Sequence, residues 1–466
     1  MRTTPTSVQD VKLPWITKIC FGISGVGRML NSVLAITYLF YFYTEILMLN
    51  PAVATTLTTV GRIWSWFVDP TMGAIIDRSS GKKEGKTRHI LKVWTFPAAL
   101  SMFLAFAVPD MVTPLQALWV FVTYIAQQTL DSLLKVALNT MMGRLTSDKV
   151  QRTNLNQVMT IASTVTSLFF TSEVLNIINI LGGEDMRRGF MLTAAIFAVA
   201  TAVIYFITYF GTAGYEPVEP VSPDAVRQKG PGIITTLSAM SKNKVWMIAI
   251  LIYVFYCIGG IIQSQTMVIY FTHNLGDPQS YLRIYSATSM VVMMVGYVTL
   301  GFFTKRLGNA GTALLGCILG VVGNLIRFVL QDATLAAFAA GMGIGAFGSG
   351  LLGGTIILCI MDSQVYGEWK TGMRNDALVM SGFGLSSKIG FAVGGALAGY
   401  LQAILGYDAA LGAPSEAVQT LFFYENTLFM AISFALSAVC AFYVWRYEKR
   451  IPQMRAEIQA RKAQAS

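Results

Sequence analysis

Residues 245–276 read VWMIAILIYVFYCIGGIIQSQTMVIYFTHNLG, without a single Asp, Glu, Lys or Arg. A bilayer core needs about 20 mostly apolar residues per spanning helix, so this run is long enough to cross. Runs of the same kind recur at 189–215, 284–304 and 333–361. They decide the solvent. Of 466 residues, 54% are hydrophobic and 12% charged, a balance that implies a surface facing lipid rather than water.

Working outward from these runs, the chain reads as an all-α membrane protein with twelve transmembrane helices, at 17–44, 50–76, 90–108, 112–142, 155–180, 188–212, 244–273, 280–303, 309–330, 333–361, 376–405 and 418–446. The first segment lacks the compact apolar stretch and cleavage site of a secretory signal and is expected to remain in the mature chain. The longest polar interruption carries Pro217, Pro220, Pro223 and Pro231 and divides six helices from six. The expected organisation is an N-terminal six-helix bundle over 1–213, a cytoplasmic linker over 214–243, a C-terminal six-helix bundle over 244–446, and a cytoplasmic tail over 447–466. Each half has a basic, glycine-bearing turn after its second helix, at Gly73–Arg78 and Gly301–Gly308. This weak internal repeat suits a transporter of two bundles that alternate access by rocking.

Short cytoplasmic loops collect Lys and Arg, and 26 of the 34 fall on one side when both termini are placed inside. The net charge of +10 therefore belongs to loops that set topology and meet anionic lipid, and nucleic-acid binding is excluded. Cys20, Cys257, Cys317, Cys359 and Cys440 all lie in apolar segments without metal-like or disulfide-like spacing, and His89 and His273 are too few for a histidine-built site. Neither a nucleophile with its base nor a phosphate loop is present, so no enzyme is expected. Glycines four apart, at Gly341/Gly345, Gly350/Gly354, Gly390/Gly394 and Gly395/Gly399, indicate close helix contacts.

Ionisable residues at bilayer depth are costly and mark function by default. On the second predicted helix, Arg62, Ser65 and Asp69 share a face, and Asp69 precedes Pro70; a carboxylate there can bind a proton or cation, or can pair with Arg62 or Lys388 to lock helices. On the fourth, Asp131 and Lys135 stand in the favourable i,i+4 order, and Gln127, Gln128 and Asn139 add more hydrogen-bonding capacity than a self-paired couple needs, as a wet cavity wall would. Arg28 and Asn31 mark the first helix, with Tyr38 further along. Lys388 marks the eleventh, and its preferred partner is Asp69. Glu173 and Glu425 lie towards helix ends and read as rim residues.

Three stretches are the most specific: Tyr41-Phe-Tyr-Thr44; Arg62-Ile-Trp-Ser65-Trp-Phe-Val-Asp69-Pro70-Thr-Met-Gly73; and Tyr366-Gly-Glu368-Trp-Lys-Thr-Gly-Met-Arg374. With them, the chain resembles the glycoside-pentoside-hexuronide:cation symporters of the major facilitator superfamily over nearly its whole length. The resemblance implies the two-bundle fold, a sugar or glycoside substrate, a multi-pass place in the cytoplasmic membrane, and no cofactor beyond a coupling cation. It also implies gate or motif roles for Arg62, Asp77, Arg78, Asp362, Glu368 and Arg374. Members similar to the melibiose permease use two carboxylates four residues apart for the cation; here Ser65 takes the first place and Asp69 keeps the second. A proton needs one titratable carboxylate and sodium several oxygens, so H+ is favoured over Na+. Where galactoside carriers place acids, this chain has Met29, adjoining Arg28, and Lys135. With Lys388, these cations suggest an anionic sugar such as a hexuronide or a sulfonated sugar. Arg28, Lys135 and Lys388 would grip the anion, Asn31, Gln128 and Asp131 would read hydroxyls, and Asp69 with Ser65 would couple the cation. A monomer is expected. A neutral-sugar or lipid carrier of the same fold and a non-transporting membrane sensor remain the alternatives.

Overall fold

The computed structural model describes residues 13–78, 85–146, 149–216, 243–371, 376–409 and 413–465, and helices are the regular elements throughout them. The first span is built from α1 (Trp15–Gly22), α2 (Ser24–Val33) and α3 (Leu39–Tyr41), with π-helical turns at Leu34–Tyr38 and Phe42–Ile46. Then come α4 (Pro51–Arg78), α5 (Lys86–Phe106), α6 (Thr113–Leu145), α7 (Lys149–Gly182) and α8 (Met186–Gly211). The second half holds α9 (Lys244–His273), α10 (Pro278–Leu330), α11 (Leu335–Thr371), α12 (Asp376–Ile404), α13 (Glu416–Asn426), α14 (Leu428–Glu448) and α15 (Ile451–Ala465). Apart from the first, which is the run of short segments from α1 to α3, each of the twelve expected spans falls on one of these helices or on a consecutive pair. The spans at 280–303 and 309–330 are the two arms of α10, which breaks at Gly308 (φ 79°, ψ 179°).

Lipid explains the outside of these helices. Val298 is 82% exposed and Ile404 78%, and large apolar side chains face outward along most spans. Hydroxyls inside the spans turn back on their own helix: Thr44 donates to the Phe40 carbonyl, Thr266 to Ile262 and Thr355 to Leu351. That is the local solution where no water is at hand. The chain divides into two compact units, residues 1–229 with 408–410, and the rest of 230–466.

In the second unit α11 packs so closely on both arms of α10 that side chains are excluded. A Cβ on Gly316 would stand 2.6 Å from the Gly348 carbonyl, one on Gly323 2.5 Å from that of Gly341, and one on Gly296 2.9 Å from that of Phe347. A Cβ on Gly394 would likewise meet the Ile258 carbonyl of α9 at 2.6 Å. Small residues let helix backbones touch where lipid offers no hydrophobic drive for association.

The repeat between the halves is sharper than the basic turns suggested, because it lies in how two helices begin. Gly85 (φ +89°) precedes α5, and Glu216 receives the Thr87 and Arg88 backbone N–H groups at 2.9 and 3.0 Å and pairs with Arg144 at 3.1 Å. Gly308 precedes the second arm of α10, and Glu448 receives the Asn309 and Ala310 N–H groups at 2.6 and 2.9 Å. In each half a carboxylate at the end of the last span thus satisfies the orphan donors and positive end of the third. A Cβ on either glycine would come within 2.7 Å of its glutamate.

Two expectations need correction, and one buried ion pair was not foreseen. Glu216, assigned from sequence to the linker, is 1% exposed and clamps the N-terminal bundle, because its carboxylate is the only cap α5 receives from the described side chains. Arg327, within the expected 309–330 span, is 1% exposed, paired with Asp332 at 2.8 Å and lying over the Phe338 ring. Glu425, read as a rim residue, is fully buried beside Gln402.

Replacing Glu448 with Ala is expected to strip both N–H groups of their acceptor and lower the melting temperature, at a cost of about 1.5–3 kcal/mol. Glu448→Gln keeps one acceptor oxygen and should lose less. Scanning fluorimetry of the purified protein reads the difference, and equal melting of all three would refute the cap.

Candidate substrate and coupling site

The polar side chains of the first unit converge because three helices present matched faces. On α2, Arg28, Asn31 and Ser32 fall at offsets of three and four, one side of a helix. On α6, Tyr124, Gln127, Gln128, Asp131 and Lys135 form a stripe nearly three turns long. On α4, Gly61 makes room for the stripe: a Cβ there would lie 2.2 Å from the Tyr124 ring.

Asn31 is the hinge of the first network. Its Nδ2 donates to Asp131 Oδ1 at 2.8 Å, and its Oδ1 accepts from Gln127 Nε2 at 2.7 Å. Lys135 Nζ lies 2.5 Å from Asp131 Oδ2 and 3.4 Å from the Ser32 hydroxyl. A second branch runs from the Arg62 guanidinium to the Tyr124 hydroxyl, which also accepts from Gln128 Nε2 at 2.8 Å. Tyr205, wholly buried on α8, lies beside both Asp131 and Arg28.

Two members of this group retain unused capacity. Gln127 Oε1 is a buried acceptor and Arg28 Nε a buried donor, each without a partner among the described residues. Asp131 and Lys135 neutralise each other, so Arg28 supplies a positive charge with no ion-pair partner among the described residues. Buried polar atoms are normally satisfied, and such a pair of openings in a polar cluster marks where a ligand or water would bind.

Asn31, Asp131 and Lys135 stand in one bonded network, with Arg28 on the same α2 face as Asn31. Lys135, expected to grip an anion, lies 2.5 Å from Asp131 Oδ2, the i,i+4 pairing its spacing also offered. Gln128 belongs to the Tyr124 branch, while Gln127 reaches Asn31. Gln127 was visible in the sequence but took no site role; Tyr124 gave no signal beyond its place on the stripe. The Ser65 hydroxyl donates to the Arg62 carbonyl at 2.7 Å. The side chains of Asp69, Asp77 and Arg78, and all of Arg374, lie outside the described residues, as does the expected Asp69–Lys388 pair. Lys388 is half-buried on α12, in the other unit.

The motif residues Asp362 and Glu368 sit on α11. Asp362 accepts from Asn309 Nδ2 at 2.7 Å, next to the Glu448 cap. Glu368 is half-buried, and its neighbour Trp369 donates through Nε1 to Glu457 of the tail helix α15 at 2.6 Å. The tail is therefore bound to the Tyr366–Arg374 motif. Arg461 of α15 adds a bond to the Trp369 carbonyl at 2.9 Å.

Comparison with known proteins agrees with this architecture. The family described as MFS/sugar transport protein matches residues 20–449. The isoprimeverose transporter of Lactiplantibacillus pentosus is 30% identical over 99% of this chain and 95% of its own. The glucuronide carrier protein homolog of Escherichia coli (strain K12) is 22% identical over 97% of each. Among solved structures, a bacterial homolog of the human lysosomal transporter Spinster, inward-facing and unoccupied, aligns with a TM-score of 0.66 over 94% of this chain and 97% of its own, at 12% identity. The chain belongs to the MFS/sugar transport protein family, the glycoside-pentoside-hexuronide symporters of the major facilitator superfamily, and is a multi-pass transporter rather than an enzyme.

Proposed function

We propose that the protein carries a sugar or glycoside bearing a carboxylate or sulfonate by proton-coupled symport, with both termini cytoplasmic. The observation that carries the substrate reading is Arg28, a cation whose buried Nε has no partner among the described residues, beside the Asp131–Lys135 pair, whose charges cancel. A guanidinium offers planar, paired donors suited to a carboxylate or sulfonate. Asn31, Gln127 and Asp131 supply the mixed donors and acceptors that sugar hydroxyls require, with the Gln127 Oε1 acceptor still open. A relative described as a glucuronide carrier protein homolog supports the same substrate class.

Proton coupling rests on Asp69 standing alone in the sequence where two carboxylates would suit sodium. Lys388 keeps its expected part as an anion contact. The charge asymmetry of the loops supports cytoplasmic termini. A second reading, a neutral disaccharide, is favoured by the closed Asp131–Lys135 pair and by the relative described as an isoprimeverose transporter.

Substrate panels separate the two. Arg28→Gln is expected to weaken binding of uronides or sulfonated sugars by about tenfold or more, the worth of a charge-assisted hydrogen bond, while neutral glycosides bind as before. Loss of neutral-sugar binding alone, with no anion bound by the wild type, would overturn the anionic reading. Asn31→Leu should be the more damaging change to both substrate classes, since it leaves Asp131 and Gln127 each short of a partner; binding calorimetry on the folded variant measures it. In proteoliposomes, Asp69→Asn is expected to abolish pH-driven accumulation while counterflow of labelled sugar persists. Accumulation that survives, or that requires sodium in the wild type, would refute proton coupling through Asp69.

A further inference from the structure

We propose that Glu425 is a proton-binding site of the second unit, its neutral acid closing a cyclic pair with the Gln402 amide and tying α13 to α12. Both side chains are fully buried. Gln402 Nε2 donates to Glu425 Oε2 at 2.9 Å. The remaining oxygen of each group, Glu425 Oε1 and Gln402 Oε1, is a buried acceptor with no donor among the described residues. Were Glu425 ionised, both acceptors would stay empty. A proton on Oε1 makes that atom a donor, and an acid facing an amide then forms two antiparallel hydrogen bonds in one ring. One proton resolves both vacancies.

Among the described residues no cation bonds Glu425; the titratable His273 of α9 lies with its ring 6.3 Å from that of Phe422, one turn before Glu425. The cation that comes near, Arg327 of α10, gives its Nη2 to Asp332 at 2.8 Å and its Nη1 to the Asn426 carbonyl at 2.9 Å, one residue beyond Glu425. From α9, Gln263 and Thr266 meet Asn426, and Asn274 meets the Gln419 carbonyl. On α13 itself Glu416 is exposed, more than two turns away. Asp408 lies between α12 and α13, partly buried, and the neighbouring Tyr407 is a phenol whose ring packs edge-on against Phe422. Glu425 forms no ion pair among the described residues.

The location gives the proton a mechanical consequence. α13 ends at Asn426, and Thr427 (φ −126°, ψ −70°) breaks the span before α14 begins at Leu428. The Gln402–Glu425 pair holds the short segment on one side of that break. Losing the proton would set a carboxylate oxygen against the amide carbonyl oxygen, so the pair must open to reach a donor or water, and α13 can turn about Thr427. This site is separate from Asp69, and its failure would leave the helix-2 coupling reading untouched.

Infrared spectroscopy of the purified protein at neutral pH tests it. The wild-type minus Glu425→Gln difference spectrum is expected to show the carbonyl band of an un-ionised carboxyl. Gln402→Met should keep that band and move it to higher frequency, which provides a reading if Glu425→Gln does not fold. Carboxylate bands in place of the acid band would overturn the proposal. So would an acid band unmoved by Gln402→Met, or a rise in melting temperature with sodium that Glu425→Gln abolishes, since that marks a metal cation in the pocket.

Discussion

Within a spanning helix, a polar side chain finds no water and must be satisfied by its own chain or by what the chain binds. Most features of this molecule follow from that requirement. Asp131 takes Lys135 one turn away and Asn31 from the next helix; Arg327 takes Asp332, an aromatic face and a carbonyl. A buried pair of this kind contributes little net stability against an apolar replacement, but removal of one member leaves a charge that is very costly to keep. The pairs therefore specify which helices meet more than they strengthen the meeting.

Backbone groups obey the same rule. The third span of each half starts immediately after a left-handed glycine, with its first N–H groups facing inward, and each is received by a glutamate from the end of the sixth. At these points the two halves share a glycine, Gly85 or Gly308, and a glutamate, Glu216 or Glu448, and the chemistry is the same. In the second half, Asp362 joins the cap through Asn309, and the tail helix α15 grips Trp369 about two turns further along α11. The motif that carries the family resemblance is thus bonded to the last segment of the chain.

The cluster on α2 and α6 departs from full satisfaction where a transporter must. A carrier cannot spend all its hydrogen-bonding capacity on itself and still recognise a solute. Arg28 and Gln127 keep an open atom each, whereas the Arg62–Tyr124–Gln128 branch beside them is closed. Recognition and support are therefore divided between adjacent positions of α6, Gln127 serving one and Gln128 the other.

Sequence by itself determined the solvent, the span positions and the residues worth attention, because charge-free runs and isolated ionisable groups are one-dimensional signals. Asp131 and Lys135 could be paired on spacing alone, since i and i+4 share a helix face. Tertiary structure decided what depends on partners far along the chain. Glu216 looked like linker until its carboxylate was seen at the start of α5, and Glu425 looked like rim until burial set it against Gln402. Gln127 and Gln128 differ by one position, yet a rotation of about 100° per residue sends one to Asn31 and the other to Tyr124. Burial and the identity of a distant partner are properties of packing, and no local pattern encodes them.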